Sequence, residues 1–222
     1  MVRLWLVPVL VMALLGGCKQ GDTPASEANE NGKLKAVEPK APPAPPYEPK
    51  PGETVIKLTF RTPSDEVYGN GDVYIKLFTE DAPETCAHIL DLVKKGYYKK
   101  ILVHRIELVE DFKLVQFGDA NTKDGTIQKG RPEKGSGKTV KRELNKNKHV
   151  RGAVGLARSA DPDSGDAQMY ICLVDIPQLD AEYAVFGTVV QGLDVVEGLT
   201  LGSQITDCAV VPAAEKLPSP RE

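Results

Sequence analysis

The chain has 222 residues, with 28 Lys and Arg against 31 Asp and Glu, a formal net charge of −3 and 41% hydrophobic residues. That balance excludes a general nucleic-acid binder, which needs a strongly basic face. The histidines His88, His104 and His149 stand apart, without metal-ligand spacing, so neither a metal nor a cofactor is expected.

In chain order, Met1-Val2-Arg3 gives a positive start and Leu4 to Leu15 an almost wholly apolar run. A bilayer core needs roughly 20 apolar residues, so the run is too short to span and reads as the core of a signal peptide over residues 1–17. It ends in Leu15-Gly16-Gly17-Cys18, which resembles a bacterial lipoprotein box: an aliphatic residue, two small ones and the cysteine that is acylated. Cys18 is therefore the expected lipidation point. The expected location is the bacterial cell envelope, with the protein lipid-anchored to the surface of its inner or its outer membrane. Residues 18–52 carry Pro39, Pro42, Pro43, Pro45, Pro46, Pro49 and Pro51, each with a fixed φ and no amide donor, and read as an extended tether. Residues 213–222 read as a flexible tail.

Residues 53–212 are long enough for one domain with its own core. Thr54 to Phe60 and Gly71 to Phe78 alternate as strands, joined through the turn residues of Tyr68-Gly69-Asn70-Gly71. Asp81-Ala82-Pro83-Glu84 opens a helix that carries Cys86, Ile89, Leu90 and Val93 on one face until Gly96. Further strands are expected at Ile101–Glu107, Phe112–Phe117, Val150–Ala157, Met169–Val174, Val185–Val190 and Ile205–Val211, with a short helix at Leu193–Leu199. Antiparallel strands in this number, with two helices, suggest a closed barrel capped at its ends, because closure removes exposed strand edges. Lys129 to Arg151, rich in Lys and Arg among glycines, reads as a solvated loop. Within it Gly135-Ser136-Gly137-Lys138-Thr139 echoes a phosphate loop, but the first required glycine would fall at Pro132. Gly152 and Gly155 read as points of barrel bending. Cys86, Cys172 and Cys208 lie in apolar settings typical of buried thiols, although an export route would also permit a disulfide.

Four short runs, in order over about eighty residues, carry the functional signal: Val103-His104-Arg105, Gln116-Phe117-Gly118-Asp119, Gln168-Met169-Tyr170-Ile171 and Val185-Phe186-Gly187. Together they resemble the catalytic strands of a cyclophilin, the family of peptidyl-prolyl cis/trans isomerases. The resemblance implies a mainly β fold, a closed eight-stranded antiparallel barrel capped by two helices. It implies Arg105 and Gln116 as catalytic residues, and Phe112, Ala157, Gln168, Tyr170, Leu179 and Tyr183 as the substrate-binding set. The implied partners are proline-containing unfolded or extended polypeptides, met by a monomer.

The chemistry suits those residue types. Rotation of an X-Pro bond breaks amide resonance and needs neither nucleophile nor metal. It needs an apolar seat for the proline ring and a fixed cationic donor, which arginine supplies at any working pH. Departures from the family are Val103 for phenylalanine, Phe117 for glycine and Arg158 for asparagine. The interval from Arg105 to Gln116 is also about three residues longer. Gln178 stands where cyclosporin-sensitive members carry tryptophan, so weak drug binding is expected. The alternative to a working isomerase is a non-catalytic or weakly catalytic proline-binding chaperone or interaction module of the same fold.

Overall fold

The computed structural model describes residues 47–64, 69–128, 133–212 and 217. The signal peptide, Cys18, most of the tether, part of the basic stretch and nearly all of the tail lie outside the described residues.

The strands are β1 (Thr54–Arg61), β2 (Gly71–Leu77), β3 (Val103–Val109), β4 (Phe112–Phe117), β5 (Ala153–Leu156), β6 (Met169–Cys172), β7 (Val185–Gln191) and β8 (Gln204–Val211). The helices are α1 (Pro83–Lys94) and α2 (Leu193–Glu197). All strand pairs are antiparallel, in the order β3-β4-β6-β5-β7-β2-β1-β8. The expected closed barrel is corrected to a curled eight-stranded sheet. Its ends meet at a single bridge, Leu102 with Gln204, and through backbone bonds such as Lys100 N–H to Ile205 O at 2.7 Å, not through a ladder between β3 and β8.

Alternation decides what the sheet encloses. Ile56, Leu58 and Phe60 of β1 point inward with Val73 and Ile75 of β2 and Val115 and Phe117 of β4. The rings of Phe60 and Phe117 meet edge to face at 5.4 Å, which accounts for the bulky residue where the family carries glycine. The next residue, Gly118, has φ +117°, and a Cβ there would lie 2.4 Å from the Ala167 carbonyl oxygen, so this crossing tolerates no side chain. Val55 and Tyr74 face outward, yet they are buried with Val211 and Leu217 and flanked by Tyr47, in a small second core.

Helix α1 buries Cys86, Ile89, Leu92 and Val93 against the sheet. Its N-cap residue, Ala82, offers no side-chain acceptor. Glu143 supplies one instead, accepting from Glu84 N–H at 3.0 Å and Thr85 N–H at 2.8 Å. The stretch expected to be merely solvated is thus tied to the fold. Asn145 also donates to Val185 O at 2.9 Å, and Asp166 accepts from Ser136 Oγ and Gly137 N–H while pairing with buried His88. The three cysteines of the described residues, Cys86, Cys172 and Cys208, are free and buried, which decides between thiols and a bridge. Two short 3₁₀ helices, Ala120–Asp124 and Pro177–Leu179, complete the chain path.

Candidate active site

Register sets the cleft. Across the β3–β4 hairpin, Arg105 pairs with Gln116, Glu107 with Leu114 and Val109 with Phe112, which puts these side chains on one face. Gln116 in turn pairs with Tyr170 on β6, and Tyr170 with Gly155 on β5. The 3₁₀ helix at Pro177–Leu179 closes the far wall. Arg105, Phe112, Gln116, Ala157, Tyr170, Leu179 and Tyr183 accordingly line one cavity of about 190 Å³. Gln168 lies in the wall of an adjoining cavity of about 220 Å³, which shares Gln116, Glu133, Ala157 and Arg158. All the residues expected to act together are therefore brought together, Phe112 included.

The polar side of the cleft is a one-way chain of donors. Arg105 Nη1 donates to Gln116 Oε1 at 3.2 Å, Gln116 Nε2 to Gln168 Oε1 at 2.8 Å, and Gln168 Nε2 to Glu133 Oε2 at 2.8 Å. The terminal carboxylate can only accept, so it fixes which way both amides face. Gln116 and Gln168 are buried, whereas the Arg105 side chain remains 49% exposed and open to a ligand. Its Nε donates to Glu107 Oε1 at 2.9 Å, a partner from the same strand that aims the guanidinium across the cavity mouth.

The apolar side is built from Leu114, Tyr170, Ile176 and Val185, with Phe112, Leu179 and Tyr183 packed against them. Tyr170 and Tyr183 meet edge to face at 6.0 Å, and the Arg158 guanidinium lies 4.6 Å over the Tyr183 ring. Arg158 also donates to Glu182 O at 3.1 Å and Glu182 Oε2 at 2.9 Å.

The Tyr170 hydroxyl, buried with its ring, bonds His149 Nε2 at 2.8 Å. His149 Nδ1 meets Asp180 Oδ1 at 2.9 Å, and the same oxygen accepts the His149 backbone N–H at 2.8 Å. The His149 ring stacks on Tyr170 at 5.9 Å. One imidazole thereby joins the β6 wall to the turn that carries Leu179. Burial pushes the Tyr170 hydroxyl pKa up and the His149 pKa down, the latter against the pull of Asp180.

Leu114, Glu107, Glu133, Arg158 and His149 were not anticipated as parts of the site. Leu114 was readable from alternation with Phe112 and Gln116, and Arg158 from its place beside Ala157. Nothing local marks Glu133 or His149, which arrive by tertiary contact.

A pH dependence follows. Burial holds both His104 and His149 below the ordinary value of 6.5. Below 6.5 the unfolded chain takes up protons that the fold resists, so their contribution to stability is complete above 6.5 and is lost as pH falls through the lowered values. Thermal melts across that range should show a falling melting temperature, with a shallower slope in His149→Phe. A flat profile from neutral to mildly acidic pH would contradict the assignment.

The match to known sequences is decisive: the profile of the "Cyclophilin type peptidyl-prolyl cis-trans isomerase/CLD" family covers residues 59–214. The chain belongs to this cyclophilin family. Among its relatives, a "Probable peptidyl-prolyl cis-trans isomerase" of Brucella suis is 36% identical over 147 residues, spanning 64% of this chain and 72% of that one. A peptidyl-prolyl cis-trans isomerase of Helicobacter pylori is 33% identical over 139 residues, spanning 61% and 78%. The fold of a Cryptosporidium parvum cyclophilin type peptidyl-prolyl cis-trans isomerase matches with a TM-score of 0.56 at 22% identity, covering 72% of this chain and 98% of that one. The same protein in the presence of the dipeptide Ala-Pro matches with a TM-score of 0.55 at 22% identity, covering 71% and 99%. As a cyclophilin, this chain is a peptidyl-prolyl cis/trans isomerase.

Proposed function

We propose that the protein accelerates rotation of X-Pro bonds in exported, unfolded or extended polypeptides at a cell-envelope membrane, as a lipid-anchored monomer. The observation that carries the catalytic part is the half-exposed Arg105 guanidinium, tethered at Nη1 and Nε beside a cavity with one apolar wall.

An X-Pro imide crosses a barrier of roughly 20 kcal/mol, because planarity must be lost. In the twisted state the imide nitrogen regains its lone pair. A donor that meets this lone pair binds the twisted form more tightly than either planar isomer, which is catalysis by differential binding. Arg105 is the donor in this reading. Gln116 holds a flanking carbonyl through its amide, and Phe112, Leu114, Tyr170, Leu179 and Tyr183 seat the ring. Ala157 and Gln168 receive the adjacent backbone. A measurement of cis/trans exchange in a short X-Pro peptide, without a coupling protease, tests it. An exchange rate equal to the uncatalysed one would leave only a proline-binding module.

The anchoring part rests on the sequence: a short apolar run, the Leu15-Gly16-Gly17-Cys18 box and a proline-rich segment before β1. An acyl chain contributes roughly 0.8 kcal/mol per buried methylene, so several chains hold a protein at a membrane without a spanning helix. Cys18→Ser should abolish incorporation of labelled fatty acid and release the protein from the membrane fraction, whereas Arg105→Ala should do neither. An unlabelled, freely soluble wild type after export would sink the anchor and leave the isomerase untouched.

A further inference from the structure

The β3–β4 hairpin carries the addition noted between Arg105 and Gln116, and the chemistry of the cleft makes no use of its tip. The pairing of Arg105 with Gln116, Glu107 with Leu114 and Val109 with Phe112 decides where the addition points. Residues opposite one another in an antiparallel ladder project to the same face. Val109 therefore continues the row that begins with the guanidinium, while Leu108, opposite Lys113, takes the other face. These adjacent residues are 64% and 67% exposed, and the turn beyond them is Glu110-Asp111. An exposed strand tip at the end of a sheet is ordinarily polar, because bare apolar edges invite aggregation. β3 is such a terminal strand in the sheet order.

We propose that this hairpin tip, through Val109 on the cleft face, is an added contact for the client chain. It selects a large aliphatic or aromatic residue on one flank of the proline. The occupant is the client because the patch is continuous with the cleft: Phe112 is both the cross-strand partner of Val109 and a lining residue of the 190 Å³ cavity. An extended peptide advances about 3.3 Å per residue, so residues soon after or before a proline seated on Phe112 come within reach of Val109. The other side of the cavity opens through Gln116, Glu133, Ala157 and Arg158 onto the adjoining space, where Ser159, Ser164, Asp166 and Gln168 give that flank a mostly polar set of side chains. Glu107 shares the face of Val109 and Glu110-Asp111 form the turn, so an acidic residue is disfavoured there, while Lys113 lies opposite Leu108 on the other face.

The inference rests on the isomerase reading of the cleft, and the two fail separately. Peptides with a single Leu, Phe, Ala or Glu placed two to four positions before or after the proline are assayed for kcat/KM. The double variant Leu108→Ser, Val109→Ser and, in parallel, Arg105→Ala are measured beside wild type. The wild type should favour Leu and Phe over Ala by about fivefold on one flank only. In the double variant that ratio should fall towards one, with an unchanged melting temperature. An unchanged ratio, or no preference on either flank in the wild type, would overturn the proposal. So would self-association of wild type that the double variant abolishes with the client preference intact, which would assign the patch to a second copy. Equal rates in Arg105→Ala and wild type would instead overturn the isomerase reading of the cleft.

Discussion

Arg105→Ala should lower kcat/KM for X-Pro peptides by about a hundredfold, equivalent to about 3 kcal/mol of lost transition-state binding, with no change in melting temperature. The side chain is half exposed and serves no core, and its partners Glu107 and Gln116 each keep other contacts or solvent. Arg105→Lys should recover little, because an ammonium cannot keep the bond to Gln116 and the bond to Glu107 while offering a third donor in a fixed plane. Exchange rates measured beside melting curves decide the matter. Equal rates in Arg105→Ala and wild type would remove the guanidinium from the mechanism.

Gly155→Ala should be nearly as damaging by a different route. A Cβ at this position would lie 2.2 Å from Tyr170 Cζ, 2.3 Å from its hydroxyl oxygen and 2.6 Å from Cε2. The ring cannot simply move aside, since it is stacked on His149 and bonded to it at 2.8 Å. Overpacking of this kind costs about 1 to 3 kcal/mol, which for a domain of this size lowers the melting temperature by roughly 2 to 12 °C. Displacing a wall of the proline seat should also lower kcat/KM by at least about tenfold. Tyr170→Phe in the same background removes the hydroxyl contact and the tie to His149, so it should restore part of both losses. Full activity and stability in Gly155→Ala would show that Tyr170 is no wall of the seat.

This pair shows what a linear reading catches and what it passes over. Gly155 was read as a point of barrel bending, which is what a lone glycine in a strand usually means. Its reason is a neighbour on β6, brought alongside only by the β5–β6 register. The strand at Phe112–Phe117 was found to the residue, because alternation of apolar side chains is a local signal. The strand expected from Val150 is shorter and begins at Ala153, because Gly152 takes a positive φ of 89° and Arg151 N–H bonds Asp175 instead of a neighbouring strand. The 3₁₀ helix at Pro177–Leu179 was missed, since a single turn leaves no periodicity, although Leu179 itself was named. Of the residues expected in the site, the arginine, the two glutamines and the rings are brought to the two adjoining cavities. The partners that orient them were not legible in the sequence. Glu133 reaches Gln168 across 35 positions and His149 reaches Tyr170 across 21, distances over which sequence carries no contact signal.

The buried cysteines bear on how such an enzyme can handle its clients. Burial raises the thiol pKa of Cys86 and of Cys172 to about 12, and that of Cys208 above its ordinary value. With a pKa of about 12, only about one thiol in 10⁵ is ionised at neutral pH, and thiolate is the form that attacks a disulfide. A protein that binds and releases other polypeptides can meet their thiols and disulfides. With its own sulfurs sealed in the sheet and under α1, the domain can release those chains without trapping them as mixed disulfides.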